Sequence, residues 1–400
     1  MRFFGDLGGW LDHRRVFALC GVALAVESAV FLLFIAGTHG LIVPLSRPTS
    51  TDFVSFYAAG ALADAGTPEL SYDQLAHYRS EENTTAAGIE YRFFYYPPVF
   101  LLLCAALARL PYLVAFFIFE LATIVLYLIV ARRILGEQSW SVLVPLLAFP
   151  AVFWTLGLGQ NAFLTAALFG AGTLYIDRRP IVAGLLFGAL CYKPHFGLLV
   201  PVAWLAGGHW SAAAAAFASA AALCGLSLGF FGWETSHDFL AAAARSHATY
   251  ESGEVTFGGF VSPFGAVRLL SGTRAAAYAV QTVATFAAGI LVAFVWHRRY
   301  PLPIRASTLA AATLVAIPVV LIYDLMLAAI AAAWLIRDER QLRAWEASVL
   351  GSLFVLTLDP HGIAEVWHIP VAPLVALGVV VLAAAHVIRA DAPAARYLTA

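Results

Sequence analysis

Apolar runs separated by short polar breaks fill most of this 400-residue chain. A helical run near 20 residues crosses a hydrocarbon layer about 30 Å thick, and shorter runs do so only when broken or enclosed by protein. The pattern predicts spans at residues 16–37, 111–131, 140–157, 161–176, 180–191, 194–207, 211–231, 275–296, 303–320, 324–337, 346–358 and 370–388. That makes about twelve, with both termini on one side. Residues 180–207 also read as one helix kinked at Pro194, which changes the count.

Two segments between the runs exceed simple connectors, residues 38–110 and 232–274. Loops of that length in a compact protein are functional or disordered. In the first, Phe53, Phe56, Tyr57, Gly60 and Ala61 recur at helical spacing, followed by Leu70, Tyr72, Leu75 and Tyr78. This predicts two amphipathic helices along a membrane interface. Tyr95-Tyr96-Pro97-Pro98 follows, then an apolar stretch too short to span, which reads as interfacial or re-entrant. The second segment carries His237, Asp238, Arg245, His247, Tyr250, Glu251 and Glu254 before a turn at Gly258-Gly259. No internal repeat or soluble-domain boundary interrupts the pattern, so residues 1–400 read as a single all-α integral membrane domain.

Composition agrees: 62% apolar and 12% charged residues, with a mean hydropathy of +0.83, exclude a soluble globular protein. Nucleic acid is not an expected partner. Cations favour cytoplasmic loops. With the termini inside, Arg2, Arg14, Arg15, Arg132, Arg133, Arg178, Arg179, Arg298, Arg299, Arg305, Arg337, Arg340, Arg343, Arg389 and Arg396 all fall inside, 15 of 23 cations. The first run, about 22 residues after Arg14-Arg15 and lacking a cleavage site, reads as a retained span. Cys20, Cys104, Cys191 and Cys224 have neither zinc-ligand nor disulfide spacing.

Lys193, the only lysine, lies inside an apolar run. A cation placed there costs roughly 2.5–3.5 kcal/mol on insertion scales, so it calls for a polar cavity and a partner. Glu27 and Glu120 also fall within spans and read as structural.

The string Thr51-Asp52-Phe53-Val54-Ser55-Phe56-Tyr57-Ala58-Ala59-Gly60, then Gly66-Thr67-Pro68 and Tyr72-Asp73, resembles the first-loop signature of glycosyltransferase family 87, polyprenol-phosphate-mannose-dependent mannosyltransferases of the GT-C superfamily. Tyr96-Pro97-Pro98, Gly159-Gln160-Asn161, Lys193-Pro194 and Tyr323-Asp324 resemble that family's later landmarks, in order. The resemblance covers roughly residues 50–330. It implies a GT-C type helical bundle, an active site on the external face, a lipid-phosphate sugar as co-substrate and no other cofactor, with an early acidic residue as base. Asp52 fits the base. Lys193 fits the group that meets the growing charge on the leaving phosphate, with Arg92, His195 and His247 as helpers. Tyr57, Tyr95 and Tyr96 suit stacking on sugar faces, and Gln160, Asn161 and Asp324 suit substrate contact; no carboxylate cluster is spaced for a metal.

Plainer readings stand beside these. Asp52 suits a helix start, Lys193 suits snorkelling or a structural ion pair, Gln160-Asn161 suits a turn, and tyrosines near a membrane form belts. Arg92 suits a loop anchor; His237 and His361 have no tight motif around them. The reading is a metal-independent hexosyltransferase of the cytoplasmic membrane, most simply a monomer. It would move mannose from a polyprenyl-phosphate sugar to a glycan or glycolipid acceptor on the periplasmic or external face. The alternatives are a secondary transporter and a lipid-binding or flippase-like protein. The sugar, the acceptor and the linkage position are not written in the chain.

Overall fold

The computed structural model describes residues 13–42, 50–137, 140–338 and 342–391. Arg2, Arg340 and Arg396, counted above, lie outside them. The described residues form an all-α protein with only the isolated bridges His39–Ile42 and Phe260–Leu321. In chain order the helices are α1 (His13–Ala36), α2 (Phe53–Asp64), α3 (Gln74–Thr84), α4 (Pro98–Ala108), α5 (Tyr112–Leu135), α6 (Leu143–Leu147), α7 (Pro150–Leu158), α8 (Ala162–Tyr175) and α9 (Pro180–Ala189). Then come α10 (Val200–Gly207), α11 (Trp210–Ser252), α12 (Pro263–Leu269), α13 (Arg274–His297), α14 (Leu302–Ala316), α15 (Met326–Arg337), α16 (Ala344–Leu356), α17 (Pro360–Trp367) and α18 (Val371–Asp391).

Each apolar run contains helix, but among the described residues only α1, α5, α11, α13 and α18 are long and apolar enough to cross a membrane alone. α16 and α17, bent by 73° at their break, make a sixth if taken together. The remaining runs break into shorter helices, several opening on a proline at the first turn: Pro98, Pro150, Pro180 and Pro263. Proline suits that position because its missing N–H would be unbonded there anyway.

Small residues set the closest contacts. A Cβ on Gly184 would stand 2.2 Å from the Ala212 carbonyl oxygen, and one on Gly188 would stand 2.4 Å from that of Ala216. α9 therefore lies directly on the alanine-rich first half of α11, a small-residue packing typical of membrane helices. α14, rich in Ala, Ser and Thr, is buried from Ile304 to Ala316 and forms the centre of the bundle with α15. Arg337, ending α15, donates to the Arg133 and Ile134 carbonyls at 2.9 and 2.7 Å, where the C-terminal dipole of α5 favours a cation.

Two expectations change in the long segments. α2 is not laid along an interface: Phe53, Val54, Ser55, Phe56, Ala58, Ala59 and Gly60 are all buried. The alternation that suggested an interfacial face belongs to a helix packed on α4 and α5. Residues 233–252, read as loop, are helix; α11 is interrupted at Gly232 (φ 78°, ψ 173°), and a second helical stretch runs from there to Ser252. Glycine takes that conformation at no steric cost, so the chain turns between the two stretches.

Candidate active site

Asp52 stands at the start of α2, yet its side chain makes no capping hydrogen bond there. Its carboxylate turns instead to two residues distant in sequence. Gln160 Nε2 donates to Oδ2 at 2.9 Å, and Arg92 Nε lies 3.4 Å from Oδ1. The Asp52 side chain stays 19% exposed, so a substrate hydroxyl can reach it.

The turn between α7 and α8 explains how Gln160 arrives. α7 ends at Gly159, in the left-handed conformation (φ 68°), and Leu158 accepts a hydrogen bond from the Asp52 amide. A Cβ on Gly159 would stand 2.8 Å from Phe53 Cβ and 3.3 Å from the Phe53 amide nitrogen. Only glycine fits both the dihedral and the space. Gly159→Ala is therefore expected to cost about 2 kcal/mol or more, from left-handed strain plus overpacking, read as a lower Tm of the purified protein. An unchanged Tm would show that the turn and α2 can separate without penalty.

Arg92 is placed by a buried layer beneath it. Its amide donates to Glu81 Oε2 at 3.1 Å, and its guanidinium reaches Glu90 at 3.2 Å. Glu81 and His77, one turn apart on α3, are both fully buried. His77 Nε2 faces the Ser55 carbonyl at 3.0 Å, which assigns the ring proton to that nitrogen and leaves Nδ1 to accept from the Tyr91 hydroxyl at 3.2 Å. Burial lowers His77 to about 4 and raises Glu81 to about 8. Both therefore sit neutral near pH 7, as loss of hydration requires.

The two shifts act on stability in opposite directions. Between 4.5 and 8 the folded state holds a Glu81 proton that the unfolded chain releases, so stability falls as pH rises; between 6.5 and 4 the folded state refuses a His77 proton, so stability falls as pH drops. Above 6.5 only the first acts, with a slope of at most about 1.4 kcal/mol per pH unit. Glu81→Gln keeps the acceptor for Arg92 and is expected to remove the loss of Tm between pH 6.5 and 8. Parallel wild-type and variant profiles would refute this.

A second pair lies deeper. Lys193 Nζ donates to Asp324 Oδ1 at 2.9 Å, with both side chains buried. The ammonium also lies 5.2 Å from the Tyr323 ring centroid and 5.5 Å from that of Phe196. Asp324 Oδ2 accepts from the Leu321 amide at 3.4 Å. Tyr96 links the two pairs: its hydroxyl donates to Gln160 Oε1 at 3.3 Å and lies beside the buried Asn161 amide, within electrostatic range of Asp324. Tyr250 and Tyr323 lie within range of both Asp52 and Asp324. The second half of α11 carries Tyr250 there and is held by a 3.0 Å bond between Thr249 and the Tyr95 hydroxyl.

Asp52, Arg92, Tyr96, Gln160, Asn161, Lys193 and Asp324 thus gather in one region, and Tyr95 borders it. His195 stands within electrostatic range of Lys193, on its exposed side, with its ring against Phe196. Other candidates do not join them: His247 is exposed on α11 beside Glu251. Tyr57 turns away and donates to the Leu110 carbonyl at 2.8 Å. Tyr250 was named in the sequence only as a residue of the second long segment and Tyr323 only within a family landmark, with no role given to either. Among the described residues, no three His, Cys, Asp or Glu side chains cluster as metal ligands would.

The sequence model of glycosyltransferase family 87 matches residues 94–321. This chain belongs to glycosyltransferase family 87. No curated protein and no solved structure matches it. The matched family 87 segment holds Tyr96, Gln160, Asn161 and Lys193; Asp52 and Arg92 precede it, and Asp324 lies three residues beyond its end. In this family 87 protein, segments before and after the match complete one polar cluster.

Proposed function

We propose that this glycosyltransferase moves a hexose, mannose in the first instance, from a polyprenyl-phosphate sugar to a glycan or glycolipid on the external face of the cytoplasmic membrane. The observation that carries the reading is the placement of Asp52. An uncapped, reachable carboxylate is held by Gln160 and Arg92, in the region that also holds the Lys193–Asp324 pair.

In the reaction, an acceptor hydroxyl oxygen bonds to the anomeric carbon as the bond from that carbon to the phosphate oxygen breaks. Asp52 takes the hydroxyl proton, and the bonding electrons leave on the phosphate. Lys193 gives one N–H to Asp324 and has two more for the phosphate oxygens; Arg92 adds positive charge at the rim. These cations carry the leaving group in this reading, with no role assigned to a metal. Direct displacement inverts the linkage, so a β-linked donor gives an α-linked product. Twelve crossings with cytoplasmic termini, a GT-C bundle and a monomer complete the proposal.

The test is transfer of label from radiolabelled polyprenyl-phosphate mannose by the purified protein in membranes, with crude membrane extract as acceptor. Labelled product supports the reading. No product with mannose, glucose or galactose donors overturns it.

A further inference from the structure

α2 and α3 border an open recess of about 690 Å3 that the chemistry above does not use. Its volume is within the roughly 300–1,000 Å3 usual for small-molecule sites. Tyr57 and Tyr112 line one side, with ring centroids 5.2 Å apart and planes at 76°. Both hydroxyls are already engaged: Tyr57 donates to the Leu110 carbonyl at 2.8 Å, and Tyr112 shares a 3.1 Å bond with Thr51 Oγ1. These bonds fix the rings, so what they offer a ligand is aromatic surface.

The α3 side supplies Arg79, Ser80, Asn83 and Thr84. Ser80 and Thr84 give their hydroxyl protons to the Ala58 and Ser80 carbonyls, at 3.1 and 2.8 Å, and keep lone pairs for a donor. Arg79 and Asn83 have no side-chain partner among the described residues, and no carboxylate lines the recess. Fixed aromatic faces, an amide, hydroxyl acceptors and one uncompensated guanidinium suit a ring-shaped, polyhydroxylated ligand with a negative substituent.

The location ties it to the reaction. Tyr112 bonds Thr51, the residue before Asp52, and Tyr57 lies just over one turn further along α2. We propose that this recess is an acceptor subsite for an anionic sugar residue of the glycan, beyond the sugar whose hydroxyl is glycosylated. The proposal rests on the transferase reading above and adds the acceptor's chemistry to it.

The test is saturation-transfer NMR on the purified full-length protein without donor, using mannobiose, mannobiose 6-phosphate and a glucuronic-acid-containing disaccharide. At least one anionic disaccharide is expected to bind about ten-fold more tightly than neutral mannobiose, the scale of one charge-assisted contact, with the difference erased in Arg79→Gln. Which anion wins separates phosphate from carboxylate as the recognised group. Equal binding of neutral and anionic sugars, no binding of any, or a preference that survives Arg79→Gln overturns the proposal. In the transfer assay, Arg79→Gln should raise the acceptor KM about ten-fold and leave kcat and the donor KM unchanged; a loss confined to kcat counts against it. Arg79-dependent binding with no wild-type transfer would leave a glycan site and remove the transferase reading.

Discussion

Asp52→Asn is expected to lower the rate of sugar transfer by about 10²- to 10⁴-fold, the usual contribution of a positioned base, with little change in the KM for the lipid donor. Asparagine keeps the shape of aspartate and still offers an oxygen to Gln160 Nε2. What it loses is the capacity to take a proton. The fold should survive, because the partner pair is partly exposed, with Asp52 19% and Arg92 27% accessible, and such pairs contribute at most about 1 kcal/mol. Single-turnover transfer of label, with Tm recorded on the same preparation, reads both quantities. Equal rates in wild type and variant would remove Asp52 from its role while leaving the family assignment untouched.

Breaking the Lys193–Asp324 pair should have the largest effect on stability. Both charges are buried, and removing one partner strands the other, at a cost of about 3–5 kcal/mol. Lys193→Met and Asp324→Asn are each expected to lower Tm sharply. The double variant Lys193→Met with Asp324→Leu strands no charge, so it should recover most of the stability, as apolar replacements of buried pairs often do. Transfer should not recover with it, because in the proposed reaction the leaving phosphate then lacks its cation. A stable double variant with wild-type transfer would make the pair purely structural.

The helical runs were legible because polar breaks separate long apolar stretches, and Lys193 was legible because a cation in such a run demands an explanation. Its partner was not. Asp324 lies 131 positions away, and no spacing rule carries a tertiary contact over that distance. Gln160 was visible as one of the few polar residues between two apolar runs, but its bond to Asp52 depends on Gly159 passing under Phe53, which only coordinates reveal. The apolar spacing of α2 serves an interface or a core equally well, and packing against α4 and α5 decided for the core. The polar stretch after Gly232 resembled a loop, yet a second helix begins directly after that one glycine turns the chain. His247 failed to join the cluster because it lies on the exposed face of α11, a matter of rotation about a helix axis that an unaligned sequence does not record.

The long separations between bonded partners also bear on how the enzyme is made. Asp52 and Gln160 are 108 positions apart, Lys193 and Asp324 131, and Tyr95 and Thr249 154. A chain synthesised from its N-terminus therefore makes Asp52 early, yet carries an uncompensated lysine until residue 324 has been translated and α15 follows it into the bundle. Chains that terminate before that point lack the buried ion pair and the Tyr323 ring above it. A stalled or truncated product is expected to be inert in sugar transfer, so competence cannot arrive before residue 324 has been made.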